Sequence, residues 1–471
     1  MSELRKPFIY VFKTAKGCYL YDVNTNVLCS VSNESYEILQ KGEQYNCELQ
    51  ELKDAGLLKT KRVNVLQNPI SSYVECILNE RINYILLQLT QQCNLRCEYC
   101  LYSGSYNNMR LHSSKNMNIA TLEKILDFAI DRSVQSHDFH IGFYGGEPLI
   151  RFDLIKWVFN YMETKCPGRP VLYSMTTNAT LLTPEIAAEL VKHKVKLQIS
   201  LDGPEEIHNA NRKFANGTGT FNRIIKNLQR LFEEYPDYYK NNVAFNAVLD
   251  GAATSTEIFS FFSSHDLLKN NRIKLSRVNT TFENSFDKHL DKKNDYDLSF
   301  SKNAVLYYYK SLKYPETEPD RILDSQYSFA DIEAALSKRF FELPEKSIHC
   351  GLCVPGVSRL FVTVHGDFYI CEKVGENPGS IYCIGNVIDG FNYQNIEKLL
   401  NVGNTADKAC SNCWAFRLCN LCAAKVDFSA DNYETKLQKR CNAFRRMIAN
   451  QIRDYCVFCE VKGELIDGRR G

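Results

Sequence analysis

From Asn83 to about Val278, six apolar runs alternate with amphipathic stretches, and no other feature of the chain restricts its fold so strongly. The runs are YILLQL, HIGFY, VLYSMTT, KLQISL, VAFNAVL and RIKLSRV. Among the stretches between them are TLEKILDFAI, DLIKWVFNYM, IAAELVKHK and FNRIIKNLQRLF, whose apolar residues recur at helical spacing. Strand and helix in alternation predict a parallel sheet with helical crossovers. Thr183 before Pro184 reads as a helix start, because proline at the first helical position loses no hydrogen bond the helix needs. Six units are too few to close an eight-stranded barrel. The expected fold class is therefore α/β, a partial (β/α)6 barrel left open on one side for a large substrate.

Barrels place their chemistry at the C-terminal ends of their strands, and the first run leads straight into LTQQCNLRCEYCL. Cys93, Cys97 and Cys100 stand there in a C-x3-C-x2-C pattern, tight enough for one loop to wrap one metal centre. Three thiolates can hold three irons of a four-iron four-sulfur cluster and leave the fourth iron to a ligand that is not protein. A zinc knuckle or plain core thiols are the alternatives. Structural zinc takes four ligands, and no fourth Cys or His lies near enough in sequence to complete the loop locally.

With Tyr99 just ahead of the third cysteine, C-x3-C-x-Tyr-C resembles the signature of the radical S-adenosylmethionine (SAM) enzymes. The resemblance implies that SAM chelates the open iron through its amino and carboxylate groups. An electron from the cluster then cleaves it, and the 5′-deoxyadenosyl radical abstracts a hydrogen atom, with Cys93, Cys97 and Cys100 as the catalytic cluster ligands. It extends to the GGEP loop after the second run, where Gly145, Gly146 and Glu147 would bind the SAM amino group. A glycine pair lets backbone approach where a Cβ would block. TTNAT and SLDGP end the third and fourth runs and would place Asn178 and Ser200 near the ribose or carboxylate of SAM. Arg212 would meet the carboxylate, whose two oxygens match a planar guanidinium fork.

Lys plus Arg number 57 against 55 Asp plus Glu, and a net charge of +2 exerts no long-range pull on nucleic acid or an anionic membrane. Nineteen cysteines would suggest disulfides in a secreted chain. MSELRKPFIYVF has no signal-peptide layout, however, and no apolar run approaches a membrane span. A cytoplasmic setting, with thiolates serving metals, is the expectation.

Cysteines cluster again late in the chain: Cys350 and Cys353, Cys371 at the end of LFVTVHGDFYIC, then Cys410, Cys413, Cys419, Cys422 and Cys441. Spacing alone allows a zinc ribbon or two four-thiolate sites. The arrangement resembles the SPASM domain, which holds two auxiliary four-iron four-sulfur clusters. That implies three clusters in all, with Cys350, Cys353, Cys371 and Cys422 holding the first auxiliary one and Cys410, Cys413, Cys419 and Cys441 the second. The family pattern usually has three residues between the last two cysteines of the central group. Here only Asn420 and Leu421 intervene. The first auxiliary cluster could then keep an open iron or take another thiolate such as Cys383. Cys456 and Cys459 fit no ligand set and read as core or surface thiols, while Cys18, Cys29, Cys47, Cys76 and Cys166 read as structural.

Residues 1–78 read as a separate unit in which alternating runs flank a DVNTN turn and are followed by the short helices SNESYEILQKG and ELQELKDAGLL. The order resembles the winged-helix-like, PqqD-like recognition element of enzymes that mature ribosomally made peptides, where a leader is held as an added strand. Residues 83–300 would form the barrel, 301–347 a helical bridge whose AVLYYYKSLKY reads as a core helix, and 348–460 the SPASM domain. Together these parts resemble the maturases of ribosomally synthesised, post-translationally modified peptides. The implied activity is oxidative thioether formation between a cysteine sulfur and a carbon, the linkage of sactipeptides and ranthipeptides. Expected partners are a precursor peptide with a leader and an electron donor such as flavodoxin or ferredoxin, with no nucleic acid and no membrane. Carbon to carbon crosslinking, formylglycine generation and a non-enzymatic zinc-ribbon protein are the other readings.

Overall fold

The computed structural model describes residues 6–42, 45–250, 253–279, 281–282, 293–314, 321–349, 353–429 and 433–464. Strands β1 (Ile9–Lys13), β2 (Cys18–Asp22) and β3 (Val27–Val31) form an antiparallel sheet in that order. The DVNTN turn joins β2 to β3, with Asn26 at φ 62, a left-handed conformation that asparagine tolerates. A further turn at Thr14–Gly17, closed by Thr14 N donating to Gly17 O at 2.9 Å, adds β1. Helices Asn33–Lys41 and Cys47–Asp54, capped by Ser32 and Asn46, bury Leu39, Leu49 and Leu52 on one face of this sheet. The other face puts Phe8, Phe12, Tyr19 and Tyr21 against Ile448, Ile452 and Cys456 of the long helix Tyr433–Lys462.

After a two-residue strand β4 (Val65–Leu66), the six predicted runs appear as β5 (Tyr84–Thr90), β6 (Phe139–Gly145), β7 (Val171–Thr177), β8 (Lys196–Ser200), β9 (Val243–Leu249) and β10 (Arg272–Arg277). They lie side by side, all parallel, in chain order. Side chains alternate between the two faces of a strand. In β9, Val243, Phe245, Ala247 and Leu249 are buried, while Ala244, Asn246 and Val248 are half-buried on the opposite face. The buried faces meet helices Ile119–Asp131, Phe152–Lys165, Pro184–Lys192, Phe221–Glu234 and Ser255–Ser264 in one large apolar core.

β11 (Lys346–Ser347) pairs back with β4. The sheet then continues past β5, with β12 (Leu360–Val362) parallel to it and β13 (Asp367–Tyr369), β14 (Cys383–Asn386) and β15 (Gly390–Phe391) following antiparallel. The result is one sheet of ten strands rather than six. Sequence periodicity leaves β5 as an edge. The structure covers its unpaired N–H and C=O groups with β12, one of the ways proteins protect an edge. The predicted core helix AVLYYYKSLKY lies, but for its last tyrosine, within Lys293–Lys313 and is largely a surface element, with Val305 66% and Tyr309 52% exposed. Its inward stripe is narrow: Ala304, Tyr307 and Tyr308 are half-buried, and Tyr308 stacks on Phe329. No helix among the described residues is long and apolar enough to cross a membrane.

Candidate functional site

The C-terminal ends of β5 to β8 meet at the cysteine loop. Gly145, at φ 134, and Gly146 close in on this loop so tightly that a Cβ on either would clash with backbone. It would lie 2.2 Å from Thr90 O in the first case and 2.0 Å from Gln92 O in the second. What the glycine pair admits is therefore the cysteine loop's own backbone, sealed by Gly146 N to Thr90 O at 2.8 Å and Glu147 N to Gln92 O at 2.9 Å. From the opposite side the segment after β8 clamps the loop: Arg96 N donates to Lys213 O at 2.8 Å and Ala215 N to Asn94 O at 3.1 Å. A third tie comes from the end of β7, where Asn178 Nδ2 donates to Asn94 Oδ1 at 2.9 Å and Asn94 Nδ2 to Thr180 Oγ1 at 2.8 Å.

Cys93, Cys97 and Cys100 are free and half-buried in this frame. Burial, with the nearby charge of Glu147, pushes the Cys93 thiol up to about 12. Burial likewise lifts Cys97 to about 11, although Arg212 offsets part of the rise, and it raises Cys100. Thiols in so dry a place ionise readily only when a cationic centre is beside them. Among the described residues no three His, Cys, Asp or Glu side chains converge as one metal ion would require. A four-iron cluster takes one thiolate per iron, so its ligands stand farther apart, and the donor set suits it. His112, twelve residues beyond Cys100, brings Nε2 to 3.8 Å from the Cys100 sulfur, a neighbour that short-range spacing did not anticipate.

The remaining predicted residues gather at the same end. The Tyr99 hydroxyl donates to Asp202, and Arg212 Nε donates to the same carboxylate at 3.0 Å while its Nη1 lies 3.9 Å from the Cys97 sulfur. Asp202, inside SLDGP, is a further member of the site that the resemblance does not single out; it is fully buried and also accepts from Val248 N at 2.9 Å. Its signal was an acid at a strand end shortly before an arginine. Glu147 is buried as well and accepts from Thr177 Oγ1 at 2.6 Å, Asn178 N at 2.8 Å and Leu149 N at 3.1 Å. Burial nevertheless pushes its carboxyl up to about 7. Ser200 closes β8, two residues before Asp202.

The late cysteines fall into two groups. Cys410, Cys413, Cys419 and Cys441 line a single, mostly apolar cavity with Phe416, Leu421 and Phe444. Arg445 Nη1 lies 3.9 Å from the Cys413 sulfur. His349 was not foreseen there: its Nε2 bonds Leu421 O at 2.7 Å and its Nδ1 faces the Cys410 sulfur at 3.9 Å. Separately, burial raises the thiols of Cys353 and Cys371, and each feels Cys422 in addition. Cys422, whose short spacing leaves its role open, is thus near enough to both to raise their thiols. Cys383 instead bonds Gly385 O at 3.6 Å and neighbours Tyr369. Cys350 lies outside the described residues. Cys456 and Cys459 are buried on the long helix, Cys456 beneath the N-terminal sheet.

Residues 87–251 match the radical SAM superfamily model. Over 268 residues, half of this chain, the sequence is 26% identical to the radical SAM cyclopropyl synthase TigE of Paramaledivibacter caminithermalis, of which 54% is covered. A cysteine-type anaerobic sulfatase-maturating enzyme of Clostridium perfringens is 23% identical over 77% of this chain and 94% of its own length. The chain spans about half the length of TigE and of a similar maturating enzyme from Clostridium novyi. The fold resembles that of tagged anSMEcpe with bound AdoMet, at a TM-score of 0.57 and 20% identity over 79% of this chain and 98% of that one. Strands β5 to β9, their crossover helices and the cysteine loop are thus a radical SAM domain.

Proposed function

We propose that the chain is a radical SAM enzyme that modifies a ribosomally made precursor peptide, joining a cysteine sulfur to a carbon. The observation that carries this reading is the presence of two further thiol groups, Cys353 with Cys371 and Cys422, and Cys410 with Cys413, Cys419 and Cys441, behind the loop of Cys93, Cys97 and Cys100. Clusters bound at the three places would supply the electron that cleaves SAM and take up the surplus electron of the coupling. The balance is simple: the carbon would give a hydrogen atom to the 5′-deoxyadenosyl radical, which becomes 5′-deoxyadenosine, the thiol a proton to solvent, and one electron would leave to an auxiliary cluster as the C–S bond forms.

The chain's own residues do the rest. Cys93, Cys97 and Cys100 hold the catalytic cluster, and Arg212, tied to Asp202, sets a positive charge beside Cys97. Gly145 and Gly146, by admitting the backbone of the cysteine loop, would set that loop for SAM, and Glu147, Asn178 and Ser200 would lie on the side where SAM binds. Cys350 would complete the first auxiliary ligand set. A C–H bond is too inert for side-chain acids or bases, so cofactor chemistry is needed and the protein's part is orientation and exclusion of water. Residues 1–78 would receive the leader. β1 and β3 are the outer strands of their sheet, each with one backbone edge that has no partner strand among the described residues, and an extended peptide can add there. Residues 83–300, 301–347 and 348–460 serve as barrel, bridge and auxiliary-cluster domain. A flavodoxin or ferredoxin would supply electrons in the cytoplasm.

Formylglycine generation is the second reading, favoured by alignment over 94% of the Clostridium perfringens relative. Oxygen-free, reconstituted enzyme with SAM, dithionite and a cysteine-containing peptide encoded nearby decides between them. A product two hydrogens lighter that resists thiol alkylation supports the thioether. A product that has lost its sulfur and gained an aldehyde supports formylglycine. Cys97→Ala should abolish SAM cleavage, and cleavage retained at the wild-type rate would remove the central assignment.

A further inference from the structure

Below the cysteine loop, the inner face of the sheet opens into a cavity of about 690 Å³. It begins at Tyr144 and Thr176, next to the strand ends bearing Gly145 and Asn178, and reaches the N-terminal ends of β8 and β10 at Lys196 and Arg272. Its charged lining is one-sided. Lys196, Arg272 and Lys274 come from the strands and Lys240 from the short helix Pro236–Asn242 before β9, Arg359 and Lys373 from the C-terminal part, and Glu372 is the one acid among them.

Arg359 Nη1 bonds both oxygens of Glu372 at 2.8 Å, so that carboxylate is already committed. Lys196, Lys240, Arg272, Lys274 and Lys373 form no ion pair among the described residues. Burial, then the like charge of Lys373, holds the Lys274 ammonium below its ordinary range. These cations are concentrated locally in a chain whose net charge is only +2. Lys196 and Lys274 alternate with buried Leu197 and Ile273, so the pleat itself aims them inward. A cleft lined by one sign of charge concentrates its counter-ion.

We infer that this cavity binds acidic side chains of the substrate peptide, an inference that rests on the peptide-modifying reading above. The cations come from four separate stretches of chain, an arrangement that suits carboxylates dispersed along a peptide better than one compact polyphosphate. From Ser200, at the loop end of β8, to Lys196 is four residues, about 13 Å at roughly 3.3 Å per residue. An extended peptide reacting at the mouth therefore sets its acidic positions four to five residues from the residue that loses hydrogen.

The test uses the reconstituted holoenzyme and fluorescein-labelled tetraglutamate, with tetraglutamine as control, read by fluorescence anisotropy. Tetraglutamate should bind at least tenfold tighter than tetraglutamine, and rising salt should erase the difference as screening sets in. Lys196→Glu with Lys274→Glu should weaken binding at least tenfold, while Lys196→Arg with Lys274→Arg should keep it. Equal affinity for the two peptides, or full affinity in the reversed-charge variant, would overturn the inference. So would displacement by inorganic triphosphate at far lower concentration than by unlabelled tetraglutamate, which would mark a phosphate site. SAM cleavage measured in the same preparation separates the two claims. Cleavage without tetraglutamate binding sinks the acidic cavity alone, and binding without cleavage supports the cavity while sinking the radical reading.

Discussion

Glu147 shows how much one side chain at this site has to reconcile. Three donors hold its carboxylate and join the glycine loop to the end of β7, yet the group is fully buried and its pKa is pushed up to about 7 from 4.5. A carboxyl whose folded pKa is raised favours folding in its protonated form. Its contribution is fully present below pH 4.5 and is lost as pH rises through about 7. The shift corresponds to roughly 3 kcal/mol. Urea unfolding should therefore show wild type losing about that much more stability between pH 4 and pH 9 than Glu147→Gln, which cannot ionise. Parallel pH profiles would mean that the carboxyl titrates normally. A bound ammonium group, such as the one SAM bears, would pull the pKa back down and flatten the wild-type profile.

At the scale of elements, the helix Tyr433–Lys462 joins regions remote in sequence. It delivers Cys441 to the second group of late cysteines, slides Ile452 and Cys456 under the N-terminal sheet, and ends near Glu460. That carboxylate accepts from the Tyr19 hydroxyl at 2.7 Å and from Thr14 Oγ1, beside the turn between β1 and β2. Tyr10 of β1 adds a stack on Trp414, ring centroids 3.9 Å apart. Glu460→Ala leaves two hydroxyls short of an acceptor and should loosen the sheet by about 1–2 kcal/mol. Hydrogen exchange should quicken in β1 and β2 and stay unchanged in β6 to β8. Uniform quickening would instead mean that the helix supports the whole chain.

For the whole molecule, the decisive contact is between the segment after the cysteine loop and the C-terminal part. Arg110 Nε donates to Glu376 Oε1 at 2.8 Å, with both side chains at least nine-tenths buried. Gln88 Nε2 reaches the same oxygen at 2.7 Å, and the guanidinium lies over the Tyr102 ring, 3.5 Å from its centroid. Removing one member of a buried pair strands the other, at a cost of about 3–5 kcal/mol, whereas replacing both with apolar groups costs far less. Arg110→Met should thus unfold at markedly lower urea than wild type, and adding Glu376→Leu should recover much of the loss. A double variant as weak as the sum of the singles would show that the pair does not act as a unit.

The strands and crossover helices were legible because period-two and helical patterns are local: all six runs form strands, and Cys93, Cys97 and Cys100 sit where a strand-end loop should put them. The front hairpin was legible for the same reason, since Asn26 suits the turn it occupies. Local pattern also misled, as in AVLYYYKSLKY, because apolar content says nothing about whether a partner surface exists to cover it. What sequence alone determined was the type and order of elements and the identity of the thiols. Only the tertiary structure decided that β12 seals β5, that the glycine pair makes room for the cysteine loop, that Asp202 joins Tyr99 to Arg212, and that His112 and His349 stand beside sulfur. It likewise brings Cys422 near enough to Cys353 and Cys371 to raise both thiols. Those contacts join residues far apart along the chain, and their energies arise from burial and close approach, which no short stretch of sequence encodes.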